Sequence, residues 1–205
     1  MEGRELLPRQ IADMALGLQE QGCHNINFVT PSHVVPQMLE TILEAAKLGL
    51  KIPIVYNTGS YDLVETLRLL DGVIDIYMPD MKFWEPNLAK AYLRAENYPE
   101  RARSAIIEMH RQVGDLEVDH DTGLARRGVL LRHLVMPGCV NDSGKIFKWI
   151  ATELSKDTFM NVMDQYHPAG AVLEGEHPAI DRRPRRAEHA EAMDLARRAG
   201  LHRFA

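Results

Sequence analysis

The chain has 205 residues, 45% hydrophobic and 26% charged, with a net charge of −5. That length supports one substantial core or two small ones, and the mild negative charge gives no general attraction for nucleic acid or an anionic membrane. No apolar run approaches the ~18 residues a membrane-spanning helix needs, and the opening MEGRELLPRQ lacks the apolar centre of a secretory signal.

RQIADMALGLQEQG (9–22) has apolar residues at three-to-four spacing and predicts an amphipathic helix stopping at Gly22. NINFVT (25–30) follows as a short buried strand and ends on Thr30, with His33 just beyond. VPQMLETILEAAKLGL (35–50) predicts a second helix, capped near Gly49. IPIVYNT (52–58) is the next strand, and SYDLVETLRLLDG (60–72) a helix opening on a Ser or Asp cap. VIDIYM (73–78) is cut short at Pro79 and then presents Asp80 and Lys82.

From Glu85 to Val113 two helical stretches succeed one another without a strand. LEVDHDTGLARRGVLLRHLV reads as a hairpin turning at Asp121-Thr122-Gly123, its second arm running into the strand VLLRHLVM (129–136). NDSGKIFKWIATELS (141–155) predicts a helix, TFMNVMDQY (158–166) a strand, and AEHAEAMDLARRAGL (187–201) a closing helix. The arginine-rich stretches 101–111 and 181–191 are interleaved with acids and read as solvated helix faces and helix starts. With no repeat, low-complexity tract or linker, residues 1–205 read as one domain.

Strands alternating with helices imply right-handed βαβ units and a parallel sheet, either doubly wound or an open or incomplete (β/α) barrel. The series opens on a helix, so an opening strand and its loop are expected to be missing. Cys23 and Cys139 are the two cysteines, far apart, which fits a reducing cytoplasm and cannot make a four-cysteine metal site.

In parallel α/β folds, ligands bind outside the C-terminal strand ends. Those ends offer Thr30, His33, Asn57, Thr58, Asp62, Asp80, Lys82, His133, Asn141, Asp142, Asp164, Gln165 and His167. Plainer readings stand beside the functional one. Asp80 and Lys82 could be a surface ion pair, His33 a helix cap, Asn57-Thr58-Gly59 turn chemistry, and His133 a hydrogen-bonded core histidine. Met78, Met81, Met136, Met160 and Met163 read as core packing. The sequence has no P-loop, dinucleotide fingerprint, G-x-S-x-G elbow or H-E-x-x-H.

Taken in order, GCHNINFVTPSHVVP, PIVYNTGSYDLVETLRLLDGVIDIYMPDMKFW, RHLVMPG and NVMDQYHPAG resemble radical S-adenosylmethionine (SAM) proteins, specifically the group related to pyruvate formate-lyase activating enzyme. The resemblance covers nearly the whole chain. It implies a partial (β/α)6 TIM-type barrel lacking its first strand and cluster loop. It also implies an oxidoreductase or activating-enzyme activity: reductive cleavage of SAM to a 5′-deoxyadenosyl radical that abstracts hydrogen. By the same resemblance Thr30, near His33, takes the place of the loop that holds the SAM amino group, although the usual Gly-Gly-Glu is absent. Asn57 and Thr58 would line the pocket, Asp80 and Lys82 match an Asp-x-Lys that contacts SAM, Arg132 lies in the fifth-strand segment, and His167 matches a histidine near the adenosyl group.

The family holds a [4Fe–4S] cluster on a CxxxCxxC loop, which this sequence lacks, so the cofactors expected are SAM, and the cluster only if such a segment lies upstream. The chain alone is expected to be inactive. The partners implied for the full-length enzyme are an electron donor and a protein substrate of the glycyl-radical type or a small molecule, with no nucleic acid, no membrane and a cytoplasmic location. A second reading is a non-catalytic module that binds a ligand or partner. A third is a metal-dependent lyase or hydrolase using Asp80, His133 and His167.

Overall fold

A computed structural model describes residues 4–205; residues 1–3, the front of the MEGRELLPRQ stretch, lie outside the described residues. The helices are α1 (Pro8–Glu20), α2 (Val35–Lys47), α3 (Val64–Arg68), α4 (Pro86–Leu93), α5 (Tyr98–Val113), α6 (Val140–Trp149) and α7 (Arg186–Ala199). The strands are β1 (Ile26–Val29), β2 (Ile54–Thr58), β3 (Ile76–Pro79), β4 (Glu117–Val118), β5 (Ala125–Leu134) and β6 (Phe159–Met163). Five strands run parallel in the order β1-β2-β3-β5-β6, and β4 pairs antiparallel with β5.

Side chains alternate across a strand, so each strand serves two environments. On one face, Tyr56, Tyr77, Leu131, His133 and Met160 are buried, and the apolar ones among them join residues of the helices in the main core. On the other face Val55 and Ile76 pack with Leu116, Val118 and Ala125 of the β4 hairpin. Among the described residues no helix joins that second cluster. Further along the same face, Asn57, Met78, Asp80, Arg132, Asn161 and Met163 are half-buried. A doubly wound sheet carries helices on both faces, so this sheet is not one.

The hairpin turns where the sequence predicts, with Glu117 opposite Arg127 and Val118 opposite Ala125. It is seated by Gly128, whose φ is +115° and whose position is so crowded that an added Cβ would lie 2.3 Å from the Asp115 carbonyl oxygen. A side chain there would push the hairpin's approach segment off β5.

Three elements differ from expectation. The helix predicted over 60–72 is helical only at Val64–Arg68 and unwinds into turns through Gly72. The strand predicted from residue 73 begins at Ile76, because Val73 and Ile74 bond back to the Leu70 carbonyl and finish that turn. The last strand stops at Met163, leaving Asp164 to His167 as a loop. The opposite edge of β6 meets the chain's end: Met160 N–H donates to the Arg203 carbonyl at 2.9 Å, and Ala205 N–H to Met160 at 3.0 Å.

Candidate functional site

Proline cannot donate to the ladder, so β3 ends at Pro79, but the next two amides hold the chain in place. Asp80 N–H donates to the Thr58 carbonyl at 2.9 Å, and Met81 N–H to the Arg132 carbonyl at 2.9 Å. Asp80 is thereby fixed between β2 and β5, directly opposite Arg132. Arg132 Nε donates to Asp80 Oδ1 at 2.8 Å, its Nη2 donates to Asn57 Oδ1 at 2.8 Å, and Lys82 Nζ donates to Asp80 Oδ2.

The Asp80, Arg132 and Lys82 side chains are 16%, 23% and 35% exposed. A carboxylate so enclosed and bonded by two cations is not a solvated surface pair, so that plainer reading fails. The cluster carries one positive charge more than negative. Tyr98 clamps the turn beneath it: its hydroxyl donates to the Asp80 carbonyl at 2.9 Å and accepts from Lys82 N–H at 3.0 Å.

Asp80, Lys82 and Arg132 line a cavity of about 370 Å³ with Met163, Gln165 and His167 from the end of β6. The ends of β3, β5 and β6 thus open on one space. Thr30 and His33 are exposed, and neither lines this cavity. Thr30 is tied to the cluster through its amide, which donates to the Asn57 carbonyl at 2.7 Å.

Thr58 and Asp62 face the other way. Thr58 Oγ1 and Tyr56 Oη donate to Asp62 at 2.6 and 2.8 Å in a buried set beneath the helices. Burial and the Asp62 carboxylate together push the Tyr56 phenol above its ordinary range. Asp142 is also committed: it accepts from the amides of Trp84 and Glu85 at 2.7 and 2.9 Å, and burial raises its pKa. Asn57 and Thr58 are neighbours in a strand, so only one of them can face the site. That parity is a signal the sequence already carries.

His133 is a core histidine. Its Nδ1 donates to the Met81 carbonyl at 2.7 Å, so Nε2 accepts from the Ser143 hydroxyl at 2.8 Å, and burial lowers its pKa to about 4. With both nitrogens occupied it is no partner for Asp80 and His167 in a metal site. Among the described residues no group of three His, Cys, Asp or Glu is placed to hold a metal ion. Cys23 is exposed, and burial pushes the Cys139 thiol up to about 11, which disfavours the thiolate a metal needs. These residues do not fit an iron–sulfur cluster. The cavity's clustered acceptor and donors do fit a zwitterionic organic ligand.

Sequence reasoning does not reach Tyr98, 18 residues beyond Asp80, nor Tyr166 and Leu134, which line the cavity. Leu134 shares a strand face with Arg132, so its place follows once Arg132 is known to point inward.

No family model matches the chain. It is 32% identical over 180 residues to an uncharacterized protein of Methanocaldococcus jannaschii, an alignment covering 86% of this chain and 47% of that protein. The chain therefore spans about half the length of that relative. Among solved structures, a domain of pyruvate-formate lyase-activating enzyme from Bacteroides vulgatus is similar with a TM-score of 0.61 and 11% identity, over 88% of this chain and 96% of that one. The chain thus shares its mixed α/β fold with a domain of an activating enzyme of that kind.

Proposed function

We propose that residues 1–205 form the SAM-binding domain, a partial (β/α)6 barrel, of a radical SAM enzyme of the glycyl-radical-activating type. The observation that carries this reading is the run of contacts Asn57–Arg132–Asp80–Lys82 laid across three strand ends, of which Arg132, Asp80 and Lys82 line the 370 Å³ cavity. The amino acid head of SAM has an ammonium and a carboxylate. Asp80 offers an acceptor to the first, while Lys82 and Arg132, two cations against one acid, leave positive charge for the second. His167 and Gln165, beside them in the same cavity, offer partners for ribose hydroxyls. Asn57, at the end of β2, joins the proposed binding set through its bond to Arg132, whereas Thr58 is spent on Asp62 in the core and Thr30 and His33 stand outside the cavity.

When bound, SAM supplies the sulfonium whose reductive cleavage gives a 5′-deoxyadenosyl radical for hydrogen abstraction. This chain's own residues bind and orient it. The reading assigns the [4Fe–4S] cluster to a CxxxCxxC segment outside residues 1–205, with a cytoplasmic electron donor and a protein or small-molecule substrate.

A second reading, a non-catalytic module that only binds a ligand or partner, is favoured by the misfit of Cys23 and Cys139 to any cluster. The experiment has two stages. Calorimetric titration of the chain with SAM should show saturable binding that Asp80→Ala weakens; absence of binding sinks the first reading. The chain is then joined to an upstream CxxxCxxC segment and reconstituted with iron and sulfide. Formation of 5′-deoxyadenosine with reductant supports the enzyme, and SAM binding without it supports the module.

A further inference from the structure

Beside the polar cavity lies a second of about 250 Å³. The two share Lys82, Leu134, Tyr166, His167 and Ala169 on their walls, so they adjoin. Beyond that junction the second cavity is walled by Phe83, Tyr92, Met136, Val172 and Ile180. The segment after β6 forms its outer side: it passes through Ala169, makes a short turn at Gly170–Val172, and returns at Pro178–Ile180.

Few polar side chains reach this cavity, namely Tyr92, Tyr166, His167 and Lys82. The Tyr166 hydroxyl donates to the Ile180 carbonyl at 3.0 Å, which also pins the outer segment down. Lys82 Nζ is held by Asp80. A charged or strongly polar group entering the far end would lose its water and find only the Tyr92 hydroxyl among apolar walls, which costs on the scale of a buried, poorly satisfied group. An apolar group would be transferred from water to hydrocarbon and aromatic walls. The charges, by contrast, are gathered at the end nearest Lys82.

We infer that this lobe is a substrate subsite for an uncharged aryl or branched-alkyl group, separate from the cofactor space and opening onto it at Lys82 and His167. The word substrate rests on the proposed SAM reading; binding of an apolar group in the lobe does not.

Indole is the probe. In the wild-type chain, titration followed by methyl NMR should give saturable shifts at Leu93, Leu134, Met136, Val172 and Ile180, with none at the exposed Leu7, Met14 and Leu43 on α1, its entry and α2. Ala169, exposed and in ordinary extended backbone where the two cavities meet, is the point to plug: Ala169→Trp should weaken indole binding at least tenfold while leaving the fold unchanged by circular dichroism. Shifts that fail to saturate, or that spread over the outer leucines, overturn the subsite. So does a plugged variant that binds indole like the parent. The titration is repeated with SAM present. Indole bound alongside SAM supports two separate spaces, and indole displaced by SAM overturns them, since the adenine then occupies the lobe. Indole binding in a chain that does not bind SAM leaves the lobe standing and defeats only the cofactor reading.

Discussion

Arg132 and Asp80 face one another across two neighbouring parallel strands, joined from Nε to Oδ1 at 2.8 Å. The bond ties the end of β3 to β5 at the point where Pro79 has ended the regular ladder. It therefore does two things, one for the sheet and one for the charge pattern of the cavity.

Removing either partner leaves a half-buried charge with a poorer environment. Asp80→Ala, Lys82→Ala and Arg132→Ala are each expected to weaken SAM binding by about 1–3 kcal/mol, the range for leaving such a group unsatisfied. Double variants should lose less than the sum, because the groups are coupled. Isothermal titration of the parent, singles and doubles measures this. Single variants that bind SAM like the parent would remove these residues from the site.

Tyr98 holds the turn between Asp80 and Lys82 from below. Tyr98→Phe keeps the ring and its stacking on Tyr61 but leaves the Lys82 amide without its acceptor. A stability loss of about 1–3 kcal/mol is expected by chemical denaturation, accompanied by weaker SAM binding because Lys82 is no longer held. Loss of stability with unchanged affinity would confine Tyr98 to the fold.

His133 gives a pH dependence with a definite sign. Its folded pKa, about 4, lies below the ordinary 6.5 because burial opposes the charge, with Lys82 acting in the same sense and Asp80 against it. Between these values the unfolded chain binds a proton that the folded chain does not. Stability from this residue is thus complete above about pH 6.5 and falls as pH drops toward 4, by about 3 kcal/mol in all. Glu108 and Glu188, held down at about 2 by Arg111 and Arg182, lose their contributions only at lower pH. Denaturation curves between pH 7 and 4.5 should show the slope, and His133→Gln should flatten it. An equal slope in the variant would assign it to other groups.

Two glycines should respond oppositely to alanine. Gly128→Ala forces a Cβ against the Asp115 carbonyl in a left-handed backbone, and a loss of more than about 2 kcal/mol is expected. Gly17 lies inside α1 with nothing within 4 Å of an added Cβ. Gly17→Ala is expected to gain about 0.5–1 kcal/mol from helix propensity. Midpoints in urea compare the two directly.

The alternation of strands and helices was legible because each strand is a short β-branched run and each long helix an amphipathic one. That Asp80, Lys82 and His167 gather at one cavity was legible for a related reason: polar residues at the ends of apolar strands have few places to go, whereas Arg132 entered only through the family resemblance. Asp62 was misassigned to the site. It lies four residues past Thr58, and its loop folds back under the helices to reach Tyr56, a course that no local pattern records. The apolar lobe was illegible too. Its walls come from β5, α4 and the segment after β6, and Met136 reads equally well as core, where most of it lies. Proximity created by tertiary folding, not residue type, makes these residues a set.

Helices that pack on one side of the sheet alone have a consequence for how such a protein can change. Tyr56, Tyr77, Leu131 and Met160 are constrained by volume, since each is surrounded by core neighbours. Asn57, Met78 and Asn161 alternate with core positions on the same strands but answer to whatever occupies the open side, while Arg132 on that side stays bound to the sheet through Asp80. Odd and even positions of one strand are therefore under separate selection. A library confined to the open-side positions should explore new ligand preferences at little expense in thermal tolerance, whereas an equally large library on the alternate positions should yield mostly unfolded chains.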